Sequence, residues 1–409
     1  MKSWIVWILL SIFYSFQFIQ RIISNIALDS IISKFNINAT DIGYFAGMYY
    51  LGYVISHIPL SFIFNLYSPA KIISICILFI SMGLTPLLYS TDFNLVILGR
   101  FLIGIGSSAS TVGAFKLLPL FFGNRKFPYV FSLMITLGLT IIIISNTFFI
   151  KIIQSFNLNF LFQCMLIFSL FLSSCFYFFL PTIKIINNKT QFYLYKINFS
   201  HSYNKTIFFI SFLGGLMVAP LEGFADAWSN LYLKTLYGLS DIQSSYMTRI
   251  IYIGMSFGLV FMGFITEKIH LDYLILTLSS FSMIICFILL SFKLPLIYIS
   301  IIFFIIGFFC SYQIIIISKI NYLSINHPNK TFFSSLSNMI MMSFGYISHR
   351  SIGFIISYFW NGHKNEYGMP IYDSYIFNYV LLFIISCLFI SFYSFFIFFL
   401  KEKLTKKSN

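Results

Sequence analysis

The stretch from Arg100 to Gly106, RFLIGIG, sets one arginine and two glycines inside an otherwise apolar run. An arginine in such a run is tolerated within a membrane only when it faces a protein interior or a water-filled cavity, because its charge is costly to bury in lipid. The run is the fourth of about twelve apolar segments, each long enough to cross a bilayer. The stretch therefore indicates a polar interior inside a membrane bundle.

The composition supports a membrane protein. Of the 409 residues, 59% are hydrophobic and 9% are charged, whereas a soluble domain carries roughly 25% charged residues. A bilayer core takes about 20 apolar residues per helix. Segments of that length lie near 4–24, 42–64, 71–90, 95–121, 128–150, 159–181, 206–228, 243–265, 271–291, 295–318, 333–358 and 375–400.

The first segment and the basic residues predict the orientation. Lys2 precedes the first segment and no small-residue cleavage site follows it, so we interpret it as a retained helix rather than a signal peptide. With the N-terminus in the cytoplasm, most of the 25 lysines and arginines fall on cytoplasmic segments, as the positive-inside rule requires. We place both termini in the cytoplasm of a bacterial inner membrane and attribute the net charge of +14 to anionic lipid, not to nucleic acid.

The longest polar stretch divides the chain into two halves. We predict an all-α membrane protein of twelve transmembrane helices in two six-helix bundles, 1–181 and 206–409, joined by a cytoplasmic loop, 182–205. The second bundle ends in a short basic tail. Two related bundles with a binding site at their interface are typical of secondary transporters. We find no convincing residue-level repeat between the halves.

The R-x-x-x-G pattern of the opening stretch, in a fourth segment, resembles a signature of the major facilitator superfamily. Members of that family usually carry G-x-x-x-D-R-x-G-R-R between helices two and three. The matching stretch here, 59–71, has Asn65 in place of the acid, whereas the equivalent loop of the second half keeps Glu267 and Lys268. The resemblance implies the fold of that family, with an altered helix 2–3 latch.

A closer resemblance, to a prokaryotic branch of the superfamily, runs along most of the chain. Lysosomal dipeptide carriers are distant relatives of this branch. The branch carries a series of short patterns, and this chain resembles them in order and spacing. The matching residues are Tyr14, Gln17 and Arg21 in helix one, Tyr50–Tyr53 in helix two, Arg100–Gly106 and Gly113–Lys116 in helix four, Ala219–Pro220 with Trp228 in helix seven, Gly307–Gln313 in helix ten and Ser337–Met339 in helix eleven.

Spacing alone predicts a polar face on helix one. Tyr14, Gln17 and Arg21 lie at i, i+3 and i+7, which places them on one side of a helix. Polar groups buried in a membrane bundle need partners or water, so this face is expected to line a cavity. The alternative is that Arg21, near the helix end, extends to the membrane interface.

Charged residues recur at one depth of the predicted bundle. With a rise of about 1.5 Å per residue, four arginines and two acids fall in the outer half: Arg21, Arg100, Arg249, Arg350, Glu222 and Asp226. A buried positive excess favours anions, and guanidinium groups bind carboxylate or phosphate through two hydrogen bonds. The structural alternative is that Glu222 or Asp226 pairs with Arg249 and that Arg100 bonds to backbone carbonyls.

Other polar residues have two interpretations each. Lys116, deep in helix four, either faces the cavity or extends to the cytoplasm. His57 is either functional or a packed histidine. Gln313 and Asn338 are candidates for hydrogen bonds to a substrate. We predict a central cavity lined by helices 1, 4, 7 and 10, with Arg21, Arg100, Glu222 and Gln313 contributed by those helices.

Motifs of soluble enzymes and pumps are absent from the sequence. It has no G-x-x-x-x-G-K-[ST] for ATP-driven pumping and no H-E-x-x-H metal motif. The six cysteines lie inside apolar segments without metal-ligand spacing, which favours packing roles. We expect no enzyme activity, no metal and no cofactor, and a monomer in the membrane.

The predicted function is alternating-access transport of a small, carboxylate-bearing organic solute. The substrate-binding candidates are Tyr14, Gln17, Arg21, Arg100, Lys116, Gln313, Asn338 and Arg350. Proton coupling or gating is assigned to Glu222, Asp226 and Arg249. A symporter is the type we expect if transport is proton-coupled, and uniport and antiport stay open. The alternatives are a dipeptide or amino-acid uniporter, a non-transporting sensor on the same fold and an intramembrane enzyme.

Overall fold

The computed structural model is almost entirely helical over the part of the chain it describes, residues 2–123, 126–180, 202–269, 271–324, 330–364 and 370–408. The helices are α1 (Lys2–Ile26), α2 (Leu28–Phe35), α3 (Ala39–Leu66), α4 (Pro69–Tyr89), α5 (Phe93–Phe122), α6 (Phe127–Ser155), α7 (Leu158–Phe179), α8 (Ser202–Leu216), α9 (Ser229–Tyr237), α10 (Asp241–Ile269), α11 (Asp272–Leu290), α12 (Leu296–Cys310), α13 (Tyr312–Leu323), α14 (Lys330–Tyr358) and α15 (Ile376–Ser408). A π-helix, Ala219–Trp228, lies between α8 and α9.

Twelve spans among the described residues are long and apolar enough to cross a membrane. The seventh consists of α8, the π-helix and α9, and the tenth consists of α12 and α13. The prediction of twelve transmembrane helices in an all-α fold is confirmed, whereas the short helix α2 and the breaks in spans seven and ten were not predicted. We call α1–α7 the first bundle and α8–α15 the second bundle. The end with both chain termini is the terminal end, and the opposite end is the distal end.

The outer surface is suited to lipid. Large apolar side chains such as Ile144, Phe171 and Phe178 are 70%, 64% and 75% exposed. In a bilayer this surface remains out of water, and the helices satisfy their own backbone hydrogen bonds. Polar side chains are instead collected between the helices, where they build the site described below.

Local signals explain where several helices begin and end. Asn38 and Asp41 form a reciprocal capping box at the start of α3, and Asn157 accepts a hydrogen bond from the Phe160 N–H at the start of α7. These caps satisfy backbone donors that a first helical turn leaves free. Gly238, at φ +64°, ends α9 in the left-handed region that glycine adopts without strain. The distal turns are thus encoded locally.

The helix α2 is held against the distal end of the first bundle. The Lys34 ammonium donates to the Leu87 carbonyl and to the Asn159 side-chain oxygen, each at 2.7 Å. Partial burial lowers the pKa of Lys34, because desolvation disfavours its charged form. Lys34 therefore contributes to the first bundle and lies away from the central polar groups.

Close backbone approaches hold the second and fourth spans of each bundle together. In the first bundle, a Cβ added at Gly52 would collide with the Phe101 carbonyl, and one at Gly104 with the Tyr49 carbonyl. In the second bundle, Gly254 meets the Phe304 carbonyl and Gly307 meets the Ile251 carbonyl in the same way. Small residues at membrane helix interfaces permit such close approach. The two bundles therefore share one packing arrangement.

Among the described residues, the bundles make their most extensive contacts along three helix pairs: α3 with α14, α6 with α10, and α1 with the π-helix. Near the distal end, Gly43 of α3 faces Gly353 of α14, and farther in, Gly345 lies against the Tyr50 ring. These contacts place α1 and the π-helix at the centre of the protein.

Two sequence predictions fall outside the described residues. The central loop predicted at 182–205 is described only from residue 202 onward, within α8, so its boundaries remain predictions. The side chains of Asn65, Glu267 and Lys268, on which the altered latch depends, are also outside the described part.

Candidate functional site

The seventh span changes from α-helix to π-helix where its two acids lie. Pro220 has no backbone N–H and therefore cannot continue the hydrogen bonds of α8. The π-helix of ten residues follows, from Ala219 to Trp228, a rare conformation that is frequently found at functional sites. Glu222 and Asp226 both lie on it and both are buried. The π-helix thus brings two carboxyl groups to the centre of the protein.

Asp226 receives polar groups from three other helices. The Tyr50 hydroxyl on α3 donates to its Oδ2 at 2.8 Å, and the Tyr252 hydroxyl on α10 donates to its Oδ1 at 2.9 Å. Arg21 on α1 forms an ion pair with Oδ2 through Nε at 2.8 Å. Because α1 and α3 belong to the first bundle and Asp226 to the second, this carboxylate joins the bundles.

Arg21 links both acids to the cavity-facing side of α1. Its Nη1 lies 3.9 Å from Oε1 of Glu222, and its guanidinium carbon lies 3.6 Å from the centre of the Phe18 ring. The residue is only 8% exposed, and its Nη2 has no hydrogen-bond partner in the described part of the chain. Arg21 is therefore a buried cation with a donor still available.

Glu222 is less completely bonded than Asp226. The Gln313 side-chain amide donates to its Oε1 at 2.9 Å. Its Oε2 is buried and has no hydrogen-bond partner among the described residues. An unsatisfied buried carboxyl oxygen is costly, so this atom is suited to accept a proton, a water or a donor group of a ligand.

A central cavity of about 40 Å³ lies beside these side chains. Such a volume holds a few water molecules, far below the 300–1,000 Å³ or so of a typical ligand pocket. Six of the predicted site residues line it: Tyr14, Gln17, Arg21, Glu222, Gln313 and Asn338. The structure therefore brings together the polar face of helix one, one acid and both predicted amides, in a contracted state of the cavity.

A second polar contact joins the bundles nearer the terminal end. His57 Nδ1 lies 2.8 Å from the Tyr53 carbonyl, which can only accept, so Nδ1 carries the proton. Nε2 then accepts from the Asn338 amide at 2.9 Å. Tyr53 also bonds to Thr111 on α5 at 2.7 Å. His57 is thus packed as a neutral residue that positions Asn338 beside the cavity.

Arg100 lies behind the cavity instead of lining it, which differs from the prediction. Its Nη1 donates to the Gln20 carbonyl at 2.7 Å and its Nε to the Phe45 carbonyl at 3.2 Å. The side chain is fully buried, and its guanidinium lies over the rings of Phe45 and Tyr49. Arg100 therefore connects α5 to α1 and α3 inside the first bundle, as the backbone-carbonyl alternative proposed.

The remaining cations also lie outside the cavity lining. Arg249 donates to the Ile143 carbonyl at 3.2 Å and stacks on Tyr246, so the acids pair with Arg21 and not with Arg249. Arg350 lies over the Tyr44 ring. Lys116 is half-buried on α5, apart from the residues that line the cavity. One arginine, not four, therefore faces the two acids, and the predicted positive excess is absent from the described cavity.

Sequence reasoning missed the tyrosine that holds Asp226 from within the second bundle, Tyr252. Tyr50 was noted only as part of a motif, and no role was assigned to it. The two do share a pattern, Y-x-G, at Tyr50–Gly52 and Tyr252–Gly254. This short repeat is the sequence signal that pairs the two tyrosines. Its meaning becomes clear only when the structure shows the two glycines in equivalent helix contacts.

Fold and site together define a polytopic membrane protein whose two bundles enclose a charged site at their interface, the architecture of a secondary transporter. The sequence profile described as Major Facilitator Superfamily matches residues 10–348. The chain therefore belongs to the major facilitator superfamily and is a multi-pass integral membrane protein.

Solved structures show the same fold. A mutant of the nucleoside transporter NupG matches with a TM-score of 0.69 and 12% identity, covering 96% of this chain and 99% of that one. A bacterial homolog of the human lysosomal transporter Spinster, inward-facing and occupied, matches with a TM-score of 0.66 and 16% identity over 96% of both chains. Its unoccupied form gives 0.64 and 17%, covering 98% and 95%. A comparison with curated protein sequences gives no match.

Proposed function

We propose that this protein is a proton-coupled symporter of a small zwitterionic solute that bears a carboxylate. The observation that supports this most is the cavity-facing pair of Arg21 and Glu222, each of which retains an unbonded polar atom in the described structure. The Arg21 Nη2 donor suits a carboxylate. The Glu222 Oε2 acceptor suits an ammonium or other donor group on the same solute.

The local charge favours a zwitterion over a net anion. Arg21 is already paired with Asp226, and Glu222 adds a second negative group. Arg249 and Arg350, which would have tipped the balance toward anions, lie at the periphery. A solute with one positive and one negative group leaves the net charge of the site unchanged, whereas a simple anion adds a further buried negative charge beside the two acids, which is costly.

Transport requires the bundles to move. The contracted cavity is too small for an organic solute, so binding has to accompany a separation of the bundles at one end. We propose rocking of two rigid bundles about the central site, in a monomer whose termini face the cytoplasm of a bacterial inner membrane. Protonation of Glu222 would compensate its loss of contact with Arg21 during this movement.

A dipeptide or amino-acid uniporter is the second candidate, because the same Arg21 and Glu222 pair would bind an amino acid's carboxylate and ammonium without moving a proton. A non-transporting sensor would bind the same solute without moving it. The NupG likeness adds nucleosides to the compounds worth testing, since Gln313 and Asn338 offer amides to a base.

Uptake into proteoliposomes is the test. Amino acids, dipeptides, organic acids, sugar phosphates and nucleosides are supplied with and without an inward proton gradient. We expect accumulation of a carboxylate-bearing zwitterion only with the gradient. Uptake that equilibrates regardless of the gradient would support the uniporter, binding without uptake would support the sensor, and preference for a simple cation would contradict the site assignment.

The matched variants are Arg21→Lys and Arg21→Ala. Lysine keeps the charge but loses the planar pair of donors, so we expect it to impair uptake clearly, and alanine to abolish it. Chromatographic monodispersity and thermal stability of each purified variant are measured in parallel. A folded Arg21→Ala protein that binds the solute as tightly as the parent would exclude Arg21 as the carboxylate site.

A further inference from the structure

Glu222 and Asp226 share one π-helix and both lie near Arg21, but their hydrogen-bond partners differ. Both oxygens of Asp226 are engaged, by Tyr50, Tyr252 and Arg21, and Asp226 is not among the residues that line the cavity. Glu222 lines the cavity and has one oxygen without a partner in the described structure. The two acids are therefore suited to different tasks.

The tyrosines that hold Asp226 occupy equivalent positions in the two bundles. Tyr50 stands two residues before Gly52, and Tyr252 two residues before Gly254, the glycines that make corresponding contacts in each bundle. The Asp226 carboxylate thus accepts one hydrogen bond from each bundle, donated by tyrosine hydroxyls at equivalent positions. The bond from Tyr252 lies within the second bundle, whereas the bond from Tyr50 crosses between bundles.

The contacts continue from Asp226 toward the distal end. The Asn25 side-chain amide on α1 donates to the Ala225 carbonyl at 2.7 Å and to the Ser229 hydroxyl at 3.2 Å. The Asn230 amide donates back to the Asn25 carbonyl at 3.2 Å. All these groups are buried. They form a polar seam between the first and second bundles on the distal side of the cavity.

The seam ends at a charged group on the distal surface. The Lys234 ammonium of α9 pairs with Asp29 of α2, in the other bundle, and with Asp241 at 2.9 Å. These ion pairs are partly exposed, so they add little stability on their own. They do show that cross-bundle contacts extend from the buried acid to the membrane surface.

We propose that Asp226 is a positioning residue that locks the distal side of the transporter closed, through Tyr50 and Arg21, and that it is not the acid that carries the transported proton. Opening the distal side has to break the Tyr50 and Asn25 bonds, while the Tyr252 bond moves with its own bundle. Protonating Asp226 would turn an acceptor into a donor and break part of the same set. In the described part of the chain, the titratable or charged groups around it are Arg21, Glu222, Tyr14, Tyr50, Tyr252, His349 and Cys310.

This inference rests on the proposed function for the role of Glu222, but its structural part is testable alone. Spin labels at Thr91 and Lys293, exposed positions in distal turns of the first and second bundles, report the distal opening in a background without the six native cysteines. Pulsed EPR distances in lipid nanodiscs give the ratio of distal-open to distal-closed protein.

The matched pair is Tyr50→Phe and Tyr252→Phe, which remove one buried hydroxyl each from the same carboxylate. A hydrogen bond to a charged group that exists only in the closed state supports a shift of about tenfold. We expect Tyr50→Phe to raise the open-to-closed ratio by about that factor and Tyr252→Phe to change it by less than about twofold. Tyr312→Phe, whose hydroxyl donates to the Gly214 carbonyl inside the second bundle, is expected to match the parent.

The acids are then compared directly. Asp226→Asn is expected to open the distal side at least as much as Tyr50→Phe, and Asp226→Glu to restore part of the closed population. Glu222→Gln is expected to keep the parent's distances but lose proton-driven accumulation. An unchanged distance distribution in Tyr50→Phe, or loss of proton coupling in Asp226→Asn with closed-state distances intact, would overturn the proposal. If the parent shows no proton coupling, the proposed function fails, while the distance result still decides the lock.

Discussion

The two bundles share one packing arrangement but place different side chains at an equivalent position of their fourth spans. Four residues before Gly104 the first bundle has Arg100, and four residues before Gly307 the second bundle has Phe303. Arg100 bonds to the Gln20 carbonyl of the first span, whereas Phe303 packs edge-on against Phe224 of the seventh. The same position therefore connects the fourth span of each bundle to its first, by a cation in one bundle and by a ring in the other.

The first spans of the two bundles also carry different side chains, and here the difference is one of charge. The helix α1 is unbroken from Lys2 to Ile26 and carries Arg21, whereas the seventh span is interrupted by the π-helix and carries both acids. Because the charges of the two spans are opposite, they pair across the interface. The difference between two otherwise similar bundles is thus what creates the central site.

The largest effect on stability is expected at the position where the bundles differ most, Arg100. Arg100→Ala removes two hydrogen bonds from a charged donor and leaves a cavity, so we expect about 3–5 kcal/mol less free energy of unfolding. Phe303→Ala is expected to be destabilising by a similar amount through its cavity alone. Thermal unfolding in detergent measures both.

Arg100→Met separates packing from hydrogen bonding, because it keeps most of the volume but none of the donors. We expect its unfolding temperature to lie between those of the parent and Arg100→Ala. If Arg100→Ala is as stable as the parent, the carbonyl bonds do not hold the first bundle together, and Arg100 has to act elsewhere in the transport cycle.

The next largest effect tests where the bundles are alike. Gly104→Ala and Gly307→Ala each drive a methyl group into a backbone carbonyl, and overpacking of this kind is destabilising by about 1–3 kcal/mol. We expect equal losses of thermal stability in the two variants. Gly113→Ala is the control, because its nearest neighbour is the Ile73 side chain at 3.3 Å. Tolerance of alanine in only one bundle would show that the packing arrangements are not equivalent.

Much of the fold followed from the sequence because twelve apolar segments have few alternatives to crossing a membrane. The face formed by Tyr14, Gln17 and Arg21 was also predictable, since residues at i, i+3 and i+7 share one side of any helix. All three line the cavity in the structure. Their role in substrate binding stays a prediction.

The partner of each charge could not be predicted in the same way. Depth along a helix follows from counting residues, but rotation about the helix axis does not, because nearly every face of these spans is apolar. The sequence therefore left both interpretations of Arg100 open, and only the structure shows that Arg100 bonds to carbonyls whereas Arg21 pairs with the acids. The π-helix adds to this difficulty, since it alters the faces on which Glu222 and Asp226 lie.

The smallest expected effect is at Arg249, which the sequence analysis assigned to gating together with the acids. In the structure it donates one hydrogen bond to the Ile143 carbonyl and stacks on Tyr246. Arg249→Leu is therefore expected to lower the free energy of unfolding by at most about 1–2 kcal/mol and to leave proton-driven uptake within about twofold of the parent. Uptake and thermal unfolding of the purified variant measure the two effects. A loss of proton coupling in a stable Arg249→Leu protein would mean that an acid passes from Arg21 to Arg249 during the cycle. In that case, the arrangement of one arginine in the cavity and three outside it would apply only to the contracted state.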